Sequence, residues 1–416
     1  MPELVALALP GGPAFVEAMR RVWDAGDAVL PLDPHAPRPH LDRLIAALAP
    51  GAVIETDGER RALGSGVPVD ADDAVVIASS GTTGEPKGAV HTHAGVAAAA
   101  RITAAACDAT GDDVRWLACL PLAHVGGFSV VTRALLAGTG LEVHDRAEAS
   151  RIDDAARRGA THVSLVPTLL RRIDPDPWRL ILLGGSAIPA DRPPQAVATY
   201  GMTETFGGVV YDGLPLEGVE VRIAAADATS PSEGAPVTGA IELRTPTMLR
   251  AYRRTGTGPG AATSDAPGHP VDGDGWYRTG DLGSIDADGI LSVAGRADDL
   301  IISGGVNVWP GPVEDVLRSE PGVADVAVVG VDDPEWGQRV RAVVVPADPG
   351  RPPSLDELRD AVKEHLPPAA APRELLLADV LPRTALGKIE RHRLTDAGPT
   401  GHDQGTGKAG PTDAHR

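Results

Sequence analysis

The chain is predicted to be an α/β protein, with a large N-terminal domain of layered α/β sheets carrying a β-rich subdomain and a small α+β C-terminal domain. Short apolar strands alternate with helical stretches up to about Thr205, the pattern of a largely parallel sheet between helices. From Val219 onward the strands shorten and are broken by Gly and Asp, and after Arg296 a separate helix–strand alternation begins. With 416 residues, 43% of them hydrophobic, the chain is long enough for more than one core. The expected boundaries are residues 1–297 for the first domain, 298–397 for the second and 398–416 for a disordered tail without apolar periodicity.

The elements follow from local pattern. Ala74 to Ala78 (AVVIA) is an apolar strand leading into a Gly/Ser/Thr loop, after which Gly95 to Ala106 is an Ala-rich helix, so strand, loop and helix are expected in that order. Arg115 to Leu120, Leu141 to His144, His162 to Val166 and Leu180 to Leu183 are further strands, interleaved with helices at Phe128 to Leu136 and Ile152 to Arg158. The β-rich part spans Val219 to Arg244 and Trp276 to Ala294, separated by a Gly/Pro-rich segment, Thr255 to Asp274, that is expected to be an exposed insertion. Pro312 to Arg318 and Leu355 to His365 are the helices of the small domain, and Val323 to Val331, Arg339 to Val345 and Glu374 to Ala378 are its strands. No internal repeat is present.

Charge narrows the function. Lys plus Arg is 38 against 57 for Asp plus Glu, a net charge of −19 that argues against a nucleic-acid partner and against an anionic membrane surface. Met1 to Leu9 has no basic region, and no run of about 18 apolar residues occurs, so the chain is expected to be neither exported nor membrane-spanning. Cys107 and Cys119 lack disulfide-framework or metal-ligand spacing and are read as ordinary thiols in a reducing, cytoplasmic compartment.

The most informative segment is Ser79-Ser80-Gly81-Thr82-Thr83-Gly84-Glu85-Pro86-Lys87-Gly88. Glycines let the backbone turn its N–H groups toward an anion, the hydroxyls add donors and Lys87 adds a countercharge, a composition suited to polyphosphate. It is not a Walker loop, because Pro86 precedes the lysine and Gly88 follows it.

That segment resembles the signature of the adenylate-forming superfamily of acyl-CoA synthetases, luciferases and peptide-synthetase adenylation domains, and four further segments follow in the family's order. Tyr200-Gly201-Met202-Thr203-Glu204-Thr205 is similar to the segment whose Thr binds phosphate and whose Glu binds magnesium. Tyr277-Arg278-Thr279-Gly280-Asp281 resembles the strand-end segment whose Asp holds the ribose hydroxyls. Gly295-Arg296-Ala297-Asp298 resembles the hinge, with Arg296 near ribose and phosphate and Asp298 the pivot of a mobile C-terminal domain. Pro382 to Ile389, containing Gly387-Lys388, resembles the C-terminal catalytic loop. The resemblance implies ATP, Mg2+ and coenzyme A as cofactors, Ser79, Ser80, Gly81, Thr82, Thr83, Gly84 and Lys87 around phosphate, and an adenine slot at Gly184, Gly185, Ser186, Tyr200 and Gly201. It also implies a thiol channel at Gly304 and Gly305. The connection from Ala187 to Thr199 is shorter than the family pattern and rich in proline.

The chemistry demands such residues. A carboxylate attacking the α-phosphorus of ATP brings two anions together, so catalysis is positioning and charge neutralisation. Glu204 is an oxygen ligand of the kind magnesium prefers, and Lys388 is a point charge for the attacking and phosphoryl oxygens; Thr203 and His124 complete the catalytic set. Pro121 to Gly127, containing His124, resembles the acyl-pocket segment; Arg133, nine residues on, stands where an arginine of o-succinylbenzoate–CoA ligases pairs with a second carboxylate, and Gly208 is placed beside them. Val210 to Gly213 and Ala371 to Glu374 are similar to actinobacterial members of that group. The implied function is an AMP-forming acid–CoA ligase of menaquinone biosynthesis. A synthetase for another small, aromatic or fatty acid, a stand-alone enzyme loading a carrier protein, and a nucleotide-binding relative without activity stay open, as does a homodimer.

Overall fold

A computed structural model describes residues 1–80, 86–185, 188, 191–225, 238–254, 271–383 and 389–395. The chain divides into two compact units, one from Met1 to Ala297 and another beginning at Asp298. Most of the expected insertion and the whole expected tail lie outside the described residues.

The first unit opens with strands β1 (Leu4–Leu7), β2 (Ala28–Pro31), β3 (Ala52–Ile54), β4 (Arg60–Ala62), β5 (Asp73–Ser80) and β6 (Pro86–Thr92), and helices α1 (Pro13–Asp24) and α2 (Arg38–Leu48). Every residue of β1 and β2 is buried, the mark of parallel strands covered on both faces. β1 pairs in parallel with β2 and β3, and β2 with β5. Beyond that centre the pairing turns antiparallel, and this corrects the expected order around the loop. Ser79 faces Lys87 and Val76 faces Val90 in an antiparallel β5–β6 pair, so the loop joins two strands of a hairpin before helix α3 (His93–Ala106) begins. Pro86-Lys87-Gly88 at the start of β6 hides a buried Ala89–Val90–His91 run that pattern reading assigns to no element. Thr92 then caps α3, its Oγ1 accepting the Gly95 N–H at 3.1 Å.

The second seven-stranded sheet contains β7 (Arg115–Ala118), β8 (Gly140–Val143), β9 (His162–Leu165), β10 (Leu180–Leu183), β11 (Ala196–Met202), β12 (Gly207–Tyr211) and β13 (Leu214–Pro215). Its first five strands are parallel, crossed over through α4 (Val125–Ala137), α5 (Ala149–Arg157) and α6 (Pro167–Leu170), and the last two are antiparallel additions. β14 (Glu220–Ala225) and β15 (Thr238–Arg244) begin the β-rich part; β16 (Ala251–Arg253) leaves it and pairs with β6 at the edge of the first sheet. β17 (Tyr277–Ile285) and β18 (Leu291–Arg296) complete a four-stranded antiparallel sheet with β14 and β15.

β16 is short yet firmly docked. Arg253 is buried, and its guanidinium donates to the carbonyls of Leu48 and Ala49 at the end of α2 and of Val67 and Pro68. It satisfies the helix-terminal carbonyl of Leu48 and adds a second donor to that of Ala49, which also accepts the Val67 N–H. Arg250 reaches Asp73, itself 2% exposed, through two hydrogen bonds of 2.8 and 2.9 Å.

The second unit has β19 (Ile301–Ser303), β20 (Val306–Val308), α7 (Pro310–Arg318), the long hairpin β21 (Val323–Asp333) and β22 (Gly337–Pro346), α8 (Leu355–His365), β23 (Glu374–Leu377) and α9 (His392–Thr395). Alternate valines of the hairpin, Val326, Val328, Val340 and Val344, pack on Leu317 and Val362 of the two longer helices. Buried Glu314 accepts the Val328 N–H at 2.8 Å and pairs with Arg391 at 2.6 Å.

Two expected outcomes follow from this packing. Arg253→Met leaves four carbonyls without their donor and is expected to lower unfolding free energy by about 2–4 kcal/mol, read from urea midpoints. His162, 1% exposed and 4.9 Å from the Trp116 ring, has its pKa pulled down from 6.5 to about 4 chiefly by burial. Folding therefore favours the neutral imidazole: its contribution is complete above pH 6.5 and disappears as pH falls to about 4. His162→Phe is expected to flatten the decline of stability across that interval.

Candidate active site

The site is organised on the 3-10 turn Thr203–Thr205 between β11 and β12. A bulge between Tyr200 and Gly201 brings the two strands so close that a Cβ on Gly201 would fall 2.0 Å from the Gly207 carbonyl oxygen. The Thr205 hydroxyl donates to that carbonyl at 2.7 Å and accepts the Met202 N–H at 2.9 Å. Neighbouring segments hold the turn by its own carbonyls. His91 Nε2 donates to Thr203 at 2.8 Å, the Leu249 N–H to Glu204 at 2.7 Å and the Thr247 hydroxyl to Thr205 at 2.7 Å. Complete burial pulls the His91 pKa down to about 4, so the imidazole is neutral and its Nε2–H is available to a carbonyl.

Glu204 is 9% exposed, and two donors converge on one of its oxygens. The Tyr252 hydroxyl donates to Oε1 at 2.6 Å, and Lys87 Nζ lies 3.4 Å from the same atom and 3.8 Å from the centroid of the Tyr252 ring. Tyr277 backs Tyr252, the two hydroxyls being 3.3 Å apart. Burial and the Glu204 charge push the Tyr252 phenol pKa far up and that of Tyr277 to about 12, so both remain protonated donors. Among the described residues Oε2 of Glu204 receives no hydrogen bond.

A second carboxylate lies at Asp281, which is inside β17 rather than at a strand end as expected. Cross-strand pairing sets it opposite Arg296, whose Nε is 3.5 Å from Oδ1, while the Tyr200 hydroxyl donates to Oδ2 at 2.8 Å. Burial first, and Asp281 second, raise the Tyr200 pKa and fix it as donor. Gly184 ends β10 beside β11, where a Cβ would sit 2.9 Å from the Thr199 hydroxyl; Gly185 follows at φ +88°. Ser79 lies opposite Lys87, its hydroxyl 3.5 Å from the Lys87 carbonyl. Gly81, Thr82, Thr83, Gly84, Ser186, Lys388 and the Ser80 side chain lie outside the described residues.

The third corner is α4. His124 stands at its N-cap, half-buried, with its pKa lowered by burial. Ser129 lies near Gly207, since a Cβ there would come 3.7 Å from its hydroxyl, and Arg133 is one helical turn further on. Arg133 is 7% exposed; its guanidinium lies 4.6 Å from the centre of the Trp116 ring, and Nε and Nη1 make no hydrogen bond. Gly208 follows on β12, pressed so near Thr199 and Tyr211 that a Cβ would be 2.9 Å from the Thr199 Cβ. In the second unit, Asp298 is exposed in the turn Ala297–Asp299, and Gly304 and Gly305 take φ of +59° and +78°, the first under the Trp336 ring.

The donor set fits a hard divalent cation. Glu204 offers an unengaged carboxylate oxygen, and among the described residues no group of three or more His, Cys, Asp or Glu converges into a cage. Magnesium suits that arrangement, taking one carboxylate and completing its shell with phosphate and water oxygens. Sequence reading did not single out Tyr252, Tyr277, His91 or Trp116. Scarcity was the available signal: the chain has only four tyrosines, of which Tyr200 and Tyr252 donate to these two carboxylates and Tyr277 backs Tyr252.

Two layered sheets, a glycine-rich hairpin loop and a paired-carboxylate site define an adenylate-forming ligase, and the chain belongs to the AMP-binding enzyme family. The family's main model matches residues 59–253, and that of the AMP-binding enzyme C-terminal domain matches residues 312–388. A probable 2-succinylbenzoate–CoA ligase of Mycobacterium tuberculosis is 36% identical over 86% of this chain and 93% of its own length. A feruloyl-CoA synthase of Amycolatopsis is 32% identical over 93% of this chain and 87% of its own. Among solved structures, o-succinylbenzoate CoA synthetase of Bacillus subtilis with ATP and magnesium superposes with a TM-score of 0.78 at 28% identity, covering 95% of this chain and 89% of that one. The same enzyme has been solved with its acyl-adenylate intermediate. Tyr200→Phe, which removes the donor to Asp281, is expected to weaken AMP binding about tenfold by calorimetry.

Proposed function

We propose that this chain is an ATP-dependent acid–CoA ligase acting on o-succinylbenzoate in menaquinone biosynthesis. The observation that carries the choice of acid is Arg133, a buried guanidinium on the α4 face near Gly207 with two nitrogens unpartnered. A buried unpaired cation is costly unless something anionic joins it, and a substrate with a second carboxylate supplies a bidentate partner. The relatives named for 2-succinylbenzoate support that reading.

In the first half-reaction a carboxylate oxygen of the acid forms a bond to the α-phosphorus while the bond from that phosphorus to the bridging oxygen breaks, releasing pyrophosphate. Lys87, Thr203 and Lys388 provide cationic and hydroxyl contacts to phosphoryl oxygens, and the hydroxyls of Ser79, Ser80, Thr82 and Thr83 supplement the loop's N–H groups. Glu204 would hold magnesium, which when bound would supply charge neutralisation to the phosphates. Asp281 accepts from the ribose hydroxyls with Arg296 alongside, and Gly184, Gly185 and Gly201 carry the backbone segments that would face adenine. His124 lines the approach of the carboxylate. In the second half-reaction the CoA sulfur attacks the acyl carbon and AMP leaves, with Gly304 and Gly305 serving the thiol and Asp298 the change between steps. The described residues contain no helix long and apolar enough to cross a membrane, and the reading places the enzyme in the cytoplasm.

A second reading, an aromatic monoacid, draws on the feruloyl-CoA synthase relative. Acid-dependent pyrophosphate release with CoA, measured across a carboxylate panel, separates the two. Arg133→Met is expected to raise KM for o-succinylbenzoate at least tenfold while changing it little for aryl monoacids; equal change for both acids would remove the diacid assignment. Lys388→Ala is expected to abolish adenylate formation but spare thioester formation from supplied acyl-adenylate, measured by single-turnover assays.

A further inference from the structure

We propose that Lys87 is the resident countercation of Glu204 in the nucleotide-free protein, and that its transfer to phosphate is what opens this carboxylate to a divalent metal. The proposal rests on Glu204 being the metal ligand, and adds an order to the filling of that site. Glu204 is the ion-pair partner of Lys87 among the described residues, and the ammonium has a second support in the face of the Tyr252 ring. At 3.4 Å the Lys87–Glu204 contact is long for a charged hydrogen bond, whereas the Tyr252 hydroxyl holds the same oxygen at 2.6 Å. One donor is therefore fixed and the other exchangeable.

Tyr252 is the positioning residue of this arrangement. Its hydroxyl orients Glu204 and its ring keeps the ammonium beside the carboxylate, so a metal arriving alone meets a carboxylate already neutralised. Displacing Lys87 would then leave a half-buried ammonium without an anionic partner. Nucleotide phosphates offer that partner, and an ammonium drawn onto them uncovers Glu204, so phosphate and metal favour each other's binding by the same factor. A coupling of this kind needs no movement beyond a lysine side chain, which has the length and freedom to turn between two anions.

The test uses Mn2+ as the probe, with electron paramagnetic resonance of full-length protein free of nucleotide. Lys87→Met is expected to bind Mn2+ about tenfold or more tightly than the wild type, and Lys87→Arg to remain as weak as the wild type. Tyr252→Leu, which removes both hydroxyl and ring, is expected to release part of the same block and serves if Lys87→Met does not fold. Equal Mn2+ affinity in the wild type and Lys87→Met overturns the proposal. Adding Glu204→Gln to Lys87→Met is expected to abolish the gained binding; if Mn2+ stays bound in that double variant, Glu204 is not the ligand, and the functional reading of Glu204 fails rather than the competition alone.

Discussion

The carboxylate of Glu204 is held with one oxygen fixed and the other without a hydrogen bond among the described residues, and the surrounding structure is organised to hold it so. Its turn is too short to stabilise itself. Support comes instead from hydrogen bonds donated by His91, Thr247 and Leu249 to the carbonyls of Thr203–Thr205, all from β6 or the segment entering β16. β16 in turn is fixed at one end by Arg253 on the α2 carbonyls and just before its start by Arg250 on Asp73. Tyr252 sits between these two arginines. A chain of contacts thus runs from the guanidinium groups of Arg250 and Arg253 through a three-residue strand to the hydroxyl that orients Glu204, and a disturbance at either arginine reaches Glu204 without touching it.

The sequence made the alternation of strands and helices legible, because that is a local pattern. Leu180–Leu183 and Leu355–His365 agree with the expected spans residue for residue. The hairpin at the phosphate loop was not legible. Proline, lysine and glycine open β6, and only pairing with β5 reveals them as strand. Asp281 was expected at a strand end, yet its β17 continues to Ile285 because Gly283 and Ser284 pair with Val293 and Ser292. Tyr252 escaped notice for a different reason. Its meaning depends on a partner 48 positions away in the sequence, and no spacing rule links β16 to the turn at Glu204. Arg133 was legible as a residue but not as an unpaired one, since whether a guanidinium is satisfied depends on every element around it.

A protein of net charge −19 that handles polyanions must create its cationic character locally. Lys87 and Arg296 are placed beside the very carboxylates they neutralise, Glu204 and Asp281. The site is therefore close to neutral as a set, and a phosphate must compete with resident carboxylates for each cation.

The two carboxylates share a further device, a half-buried tyrosine whose hydroxyl donates to one oxygen: Tyr252 on Glu204 and Tyr200 on Asp281. A phenol stabilises the ionised carboxylate without cancelling its charge, which an arginine in the same place would do. Burial and the adjacent anion raise both phenol pKa values, so the proton stays on tyrosine and the donor role does not change with pH in the physiological range. Each carboxylate keeps one oxygen pinned by its phenol, and its other contacts are open to exchange with a ligand. On the proposed reading that ligand is a cation for Glu204 and a pair of hydroxyls for Asp281. Orientation by a phenol beside a resident cation is thus common to both carboxylates, in a chain otherwise poor in aromatic residues.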